Sequence, residues 1–317
     1  MGVWRAGVES GDVMNRTLIA VAALTMFQAG AAWADDQAPA TTGPPAAAAP
    51  ATPAPPDKSG FTLFNPTPDA DLRSLCTDRP TKSTAPCTVD AGHWQLESDV
   101  YNFTTDTAGG VTTISQLFTN PTLKLGLTNT LDFEVNIVPY EEMTTHDAAT
   151  RTTTTATGVG DLFLKAKWNL VGDDGGNFAF ALVPYVKVPT ASAGLGNGAY
   201  EGGVLAPLQF NLPMNWQLVV DPEVDDLLNA ASPGRHVNTS GLLSFSYPVT
   251  KTVTASAEVW GDVNFDPSGT VSQMSFDLGA AWIPAKWPNF QLDGGVNLGL
   301  NRATPAAQAY LGVSRRF

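Results

Sequence analysis

The sequence predicts an all-β fold, a transmembrane antiparallel up-and-down β-barrel of about 12 strands. Three observations carry that prediction. From His93 to Phe317 apolar and polar residues alternate in runs longer than the five or six residues usual for soluble sheets. The connections between runs alternate between tight turns and longer polar loops, as in barrels with short inner turns and longer external loops. On the apolar parity, aromatic residues gather at the tight-turn end.

The chain reads in order as four parts. Its 317 residues carry a net charge of -13, which argues against nucleic acid as a partner because phosphate binding needs clustered Lys and Arg. From Met14 the sequence shows one Arg, an apolar run from Leu18, and Ala32-Trp33-Ala34 before two Asp, the order of a secretory signal cleaved after Ala34. Residues 1–13 fit no signal pattern and suggest a start codon assigned too early, so 1–34 is taken as the cleaved part. Residues 35–57 are rich in Pro, Ala and Thr and read as an extended, disordered linker. Residues 58–91 form a periplasmic or plug segment holding both cysteines, and 92–317 form the barrel. In an oxidising compartment Cys76 and Cys87 are expected to pair. A zinc site is disfavoured because His93 is the only histidine nearby.

The expected strands run over roughly 93–103, 112–127, 130–140, 159–170, 177–188, 200–212, 215–223, 236–247, 251–263, 270–283, 289–300 and 307–317. Alternation is clearest in four of them. The fourth sets Leu162, Leu164, Ala166, Trp168 and Leu170 against Asp161, Lys165, Lys167 and Asn169. The ninth sets Val253, Ala255, Ala257 and Val259 against Thr252, Thr254, Ser256 and Glu258. The tenth opposes Met274, Phe276, Leu278, Ala280 and Trp282 to Gln273, Ser275 and Asp277. The eleventh opposes Phe290, Leu292, Val296, Leu298 and Leu300 to Gln291, Asp293, Asn297 and Asn301. Turns are expected after strands 2, 6, 8 and 10, and long polar loops after 3, 5 and 7, including the Thr-rich stretch Glu141 to Gly158.

At the tight-turn end the apolar parity carries Trp94, Trp168, Trp216, Tyr247, Trp282, Phe290 and Phe317, with Phe178 and Phe210 beside them. Rings with an apolar body and a polar edge collect at the lipid–water boundary, so these are expected to form a girdle. The last strand, ending in Phe317, looks like the signal read by the barrel assembly machinery; Arg315 on its apolar face is expected to snorkel.

Thr77-Asp78-Arg79-Pro80 and the run Thr88 to Glu97 resemble the entry motif of a proteobacterial outer-membrane group. Leu125 to Thr128, Leu131 to Glu134 and Gly158 to Asp161 agree with it. That group is the transporter family associated with the meta-cleavage pathway of phenol degradation. The resemblance covers about Asp78 to Phe317 and implies uptake of aromatic or other hydrophobic compounds through the outer membrane.

The polar parity offers Glu97, Asp132, Glu134, Lys165, Lys167, Glu258, Asp277 and Asp293 as pore-lining residues, a charged wall that would select small solutes and weakly prefer cations. The opposing expectation is a lumen sealed by salt bridges, giving a structural or scaffold barrel without transport. An outer-membrane hydrolase is the third reading. The chain has three histidines and neither G-x-S-x-G nor H-E-x-x-H, so no catalytic residue is singled out, and His236 near Ser240 reads as a loop residue. Gly194 to Gly198 imitates a phosphate loop but opens no helix. Asp221 to Asp226 is expected as a solvated acidic rim rather than a Ca²⁺ site. Cofactors and metals are expected to be none; the partners expected are outer-membrane lipids, the assembly machinery and a small-molecule solute.

Overall fold

The computed structural model describes residues 57–317, so the expected signal (1–34) and nearly all of the Pro/Ala-rich linker lie outside the described residues. Among the described residues, no helix is long and apolar enough to cross a membrane.

The strands are β1 (Trp94–Ala108), β2 (Val111–Thr128), β3 (Leu131–Ile137, resuming as Glu141–Asp147) and β4 (Thr152–Gly158, resuming as Leu162–Val171). They continue with β5 (Phe178–Val188), β6 (Glu201–Leu205 and Leu208–Asn211), β7 (Gln217–Leu228) and β8 (Arg235–Pro248). The last four are β9 (Val253–Asn264), β10 (Val271–Trp282), β11 (Phe290–Gly299) and β12 (Ala307–Arg316). Each pairs antiparallel with the next, and β12 returns to β1 with Gln95 opposite Arg316 and Thr105 opposite Ala307. The result is a closed barrel of 12 strands. Closure matters physically, because lipid cannot satisfy the N–H and C=O groups of an open sheet edge.

Burial is inverted relative to a water-soluble protein. Leu123, Phe133, Leu243, Val259, Leu278 and Leu298 are exposed on the outer surface, whereas Lys167, Glu134, Glu258, Asp132 and Asp277 are fully buried inside. An outward apolar band with an inward polar face is what a bilayer demands of strands with period two.

Two expectations need correction. The Thr-rich stretch is a hairpin rather than a loop: Glu141–Asp147 pairs with Thr152–Gly158, Met143 facing Ala156, and also with Val111–Leu117 of β2. β-Branched Thr favours extended backbone even where no apolar alternation marks it. Its tip turns at Ala148–Arg151, where the Asp147 carboxylate accepts the amides of Ala149 (2.8 Å) and Thr150 (3.2 Å). With strands reaching this far, loops are sorted by length less sharply than expected; only 189–200 is long.

The second correction concerns the acidic run Asp221 to Asp226. It is the interior of β7, with Asp221 and Asp225 buried on the inner face, and not a rim. Pro222 is tolerated there because it lies opposite the break in β6 at Ala206-Pro207, where the ladder is already interrupted. The Pro222 carbonyl still accepts the Ala206 amide at 2.9 Å.

Candidate functional site: the barrel lumen and its inner loop

The segment before β1 enters the lumen from the end where β1 begins and β12 ends. Thr62 bridges to Thr128, and the Thr67 amide donates to the Ala91 carbonyl at 3.0 Å. A short 3-10 turn, Asp69–Asp71, follows. Cys76 and Cys87 are disulfide-bonded with Cα atoms 6.5 Å apart, closing a loop whose tip lies among the inward side chains.

Below the loop, Asp90 accepts three cations: Lys58 at 3.5 Å, Arg73 at 3.7 Å and Arg316 at 3.0 Å. Arg73 also reaches Asp174 at 2.9 Å in the β4–β5 turn. Gly126 of β2 carries no Cβ where the Asp90 carbonyl passes; a side chain there would overlap it.

Along the loop, Asp78 sits between the Lys124 (2.5 Å) and Lys167 (2.8 Å) ammoniums, while its amide donates to Glu97 at 3.0 Å. Lys124 also contacts Glu97 at 2.6 Å, and Lys167 contacts Glu134 at 3.3 Å. Burial by itself would raise the Asp78 pKa, but the two ammoniums outweigh it and hold this loop carboxyl well below its usual range. Next, the Arg79 guanidinium contacts Asp99 at 2.6 Å and Asp293 at 2.8 Å. Lys82 contacts Asp277 at 2.8 Å and Ser275 at 2.6 Å, and the Lys82 and Ser83 amides donate to Glu258, each at 3.2 Å. Thr84 donates its amide to Asp221 at 2.9 Å, and Val89 to Asp132 at 2.9 Å.

The structure therefore places Glu97, Asp132, Glu134, Lys167, Glu258, Asp277 and Asp293 inward and buried against or beside the loop. Lys165 also faces inward, half-buried and cross-strand from Glu134. The carboxylate excess of the barrel is offset here by Arg79, Lys82 and loop amides. Farther from the loop, Glu223, Asp225 and Asp262 are hydrogen-bonded by Ser240, Tyr185 and Asn238.

Of the aromatics, Trp94, Trp168, Trp216, Tyr247, Trp282 and Phe317 project outward, exposed, at the terminal end; Phe290 is half-buried. The Trp216 and Tyr247 rings meet at a tilt of 38° with centroids 4.9 Å apart, and the Arg315 guanidinium covers the Phe317 ring at 4.9 Å. The histidines make ordinary hydrogen bonds. His93 hydrogen-bonds the Thr67 and Phe317 carbonyls, His146 contacts Thr153, and His236 contacts Asn229. Among the described residues, no group of His, Cys, Asp and Glu could hold a metal.

Sequence reasoning missed Arg73 and Lys82, the inward glycines Gly279 and Gly312, and the inward aromatics Trp260 and Tyr310. A signal existed for the last two: each is an aromatic on the otherwise polar parity of its strand.

Fold and lumen together define an outer-membrane β-barrel protein with a charged interior. Residues 77–317 match the family described as "Putative MetA-pathway of phenol degradation", and the chain belongs to that family. A search of curated proteins returned no match. Among solved structures, an outer membrane channel from Pseudomonas putida F1 shares the fold at 17% identity and TM-score 0.54, covering 71% of this chain and 95% of that one. The NanC porin aligns at 8% identity and TM-score 0.44 (70% and 98% covered), and the CymD monoaromatic hydrocarbon channel at 9% and 0.38 (71% and 87%).

Proposed function

We propose that this protein is an outer-membrane channel for passive uptake of small solutes, with residues 58–91 acting as a plug that closes it in this structure. One observation carries the reading: the barrel ladder closes without the loop, and the loop is held inside by hydrogen bonds and ion pairs to side chains of the barrel wall. The family description makes small aromatic solutes the first class to test. A phenolic hydroxyl suits a lumen lined by carboxylates and amides better than a bare hydrocarbon does. Lipids surround the barrel at the aromatic belt, and the assembly machinery is the proposed partner of β12. No residue is assigned to catalysis.

A second reading has its own support: the ion pairs at the loop would serve equally well to seal a scaffold barrel. Planar-bilayer recording separates the two. Native protein should conduct little, and a variant with a Gly-Ser linker replacing residues 77–86 should show step currents. Folded, heat-modifiable variant without conductance would favour the scaffold. Swelling of proteoliposomes in isosmotic phenol-type solutes would then rank substrates.

A further inference from the structure

Three inward residues form one cross-strand row. Asp99 of β1 pairs with Gly312 of β12, which pairs with Asp293 of β11. Adjacent strands lie about 4.8 Å apart, so the two carboxylates flank a gap of about 10 Å with only a glycine between them. The Arg79 guanidinium occupies that gap. Its Nε and Nη2 donate to Asp293 at 3.0 and 2.8 Å, and its Nη1 donates to Asp99 at 2.6 Å. A Cβ on Gly312 would overlap the guanidinium itself. Tyr310, two residues along the same face, holds its ring 5.8 Å from Cζ.

Barrel side chains hold both carboxylates of the receptor. Asn102 donates to the second Asp99 oxygen at 3.0 Å, and Gln291 donates to the second Asp293 oxygen at 3.0 Å. Two oriented carboxylates, a flat glycine floor and an aromatic wall meet the needs of a planar, delocalised cation. A related arrangement stands nearby, where Lys82 meets Asp277 and Ser275 with the Trp260 ring 4.7 Å away.

We infer that Asp99, Gly312, Asp293 and Tyr310 form a guanidinium-recognition site on the channel wall, which the chain's own Arg79 fills as a tethered surrogate. Guanidinium-bearing solutes take that place when the loop withdraws. The binding step stands on the geometry alone; the transport step rests on the channel reading above.

Equilibrium dialysis of detergent-folded protein with labelled guanidinium ion tests the site directly. Arg79→Ala should take up one guanidinium per chain, saturably, while native protein takes up none because Arg79 is in place. Uptake should disappear in Arg79→Ala/Asp99→Asn/Asp293→Asn. It should also disappear in Arg79→Ala/Gly312→Ala, which keeps both carboxylates but fills the floor. Labelled urea, the same shape without charge, should not bind. Heat-modifiable mobility checks that each variant is folded. Absence of saturable uptake by folded Arg79→Ala, or equal uptake after loss of both carboxylates, overturns the site. In bilayers, guanidinium should slow the Na⁺ current through the variant whose residues 77–86 are replaced by the Gly-Ser linker, and not when that variant also carries Asp99→Asn and Asp293→Asn. Uptake by protein that never conducts, with or without its loop, would keep the site and remove the channel.

Discussion

Asp78 and Lys167 form a two-point contact between the inner loop and β4, with the Lys167 ammonium 2.8 Å from one carboxylate oxygen and 2.9 Å from the other. Lys124 of β2 completes the cluster from the neighbouring side. Both lysines are almost fully buried, so withdrawing Asp78 leaves two desolvated ammoniums with fewer partners. Asp78→Asn should therefore weaken loop docking by about 3 kcal/mol. That is about a 10²-fold rise in the undocked fraction. Trypsin cannot reach Lys82 inside the barrel, so its rate of cleavage after Lys82 in folded protein reports the change. An unchanged rate would mean that the cluster does not hold the loop.

The Cys76–Cys87 bond acts on the loop and not on the barrel. Closing a loop of this size removes about 3 kcal/mol of chain entropy from the undocked state. Reduction, or the double Ser variant, should raise tryptic cleavage after Lys82 while leaving the heat-modifiable shift intact, because the ladder is closed independently. Loss of that shift on reduction would show that the bond supports the barrel itself.

Gly279 of β10 gives the loop another close approach. A Cβ there would lie 2.7 Å from the Pro80 ring. Gly279→Val should displace the loop tip without breaking a ladder hydrogen bond, and conductance should rise above that of native protein. A crystal structure of the variant with Pro80 unmoved would contradict this.

On the outer surface, Leu298 faces lipid and is exposed. Leu298→Arg should cost about 2–4 kcal/mol if it lies near the bilayer midplane. Equilibrium unfolding by denaturant in lipid vesicles measures this. A cost below about 1 kcal/mol would place Leu298 near an interface.

The local pattern determined most of the barrel. Side chains on a strand alternate with period two, and lipid outside with polar groups inside writes that period into residues such as Phe276, Asp277 and Leu278. Most of the strands were legible for this reason. The pattern fails at Thr152–Gly158, which is exposed over most of its length, so no alternation marked it. It fails again at Asp221 to Asp226, where Pro222 reads as a strand breaker until the gap in β6 is seen opposite it. The cysteine pair of the inner loop was legible from its spacing, but the loop's contacts with the wall lay beyond local reading. Arg79 and Asp293 are 214 residues apart, and no periodicity joins them. What neutralises the wall's carboxylates, and why Gly279 and Gly312 must lack side chains, depends on which groups the closed barrel brings within hydrogen-bond distance. Only the tertiary structure decides that, because closure of β12 on β1 is what sets Asp99, Gly312 and Asp293 in one row.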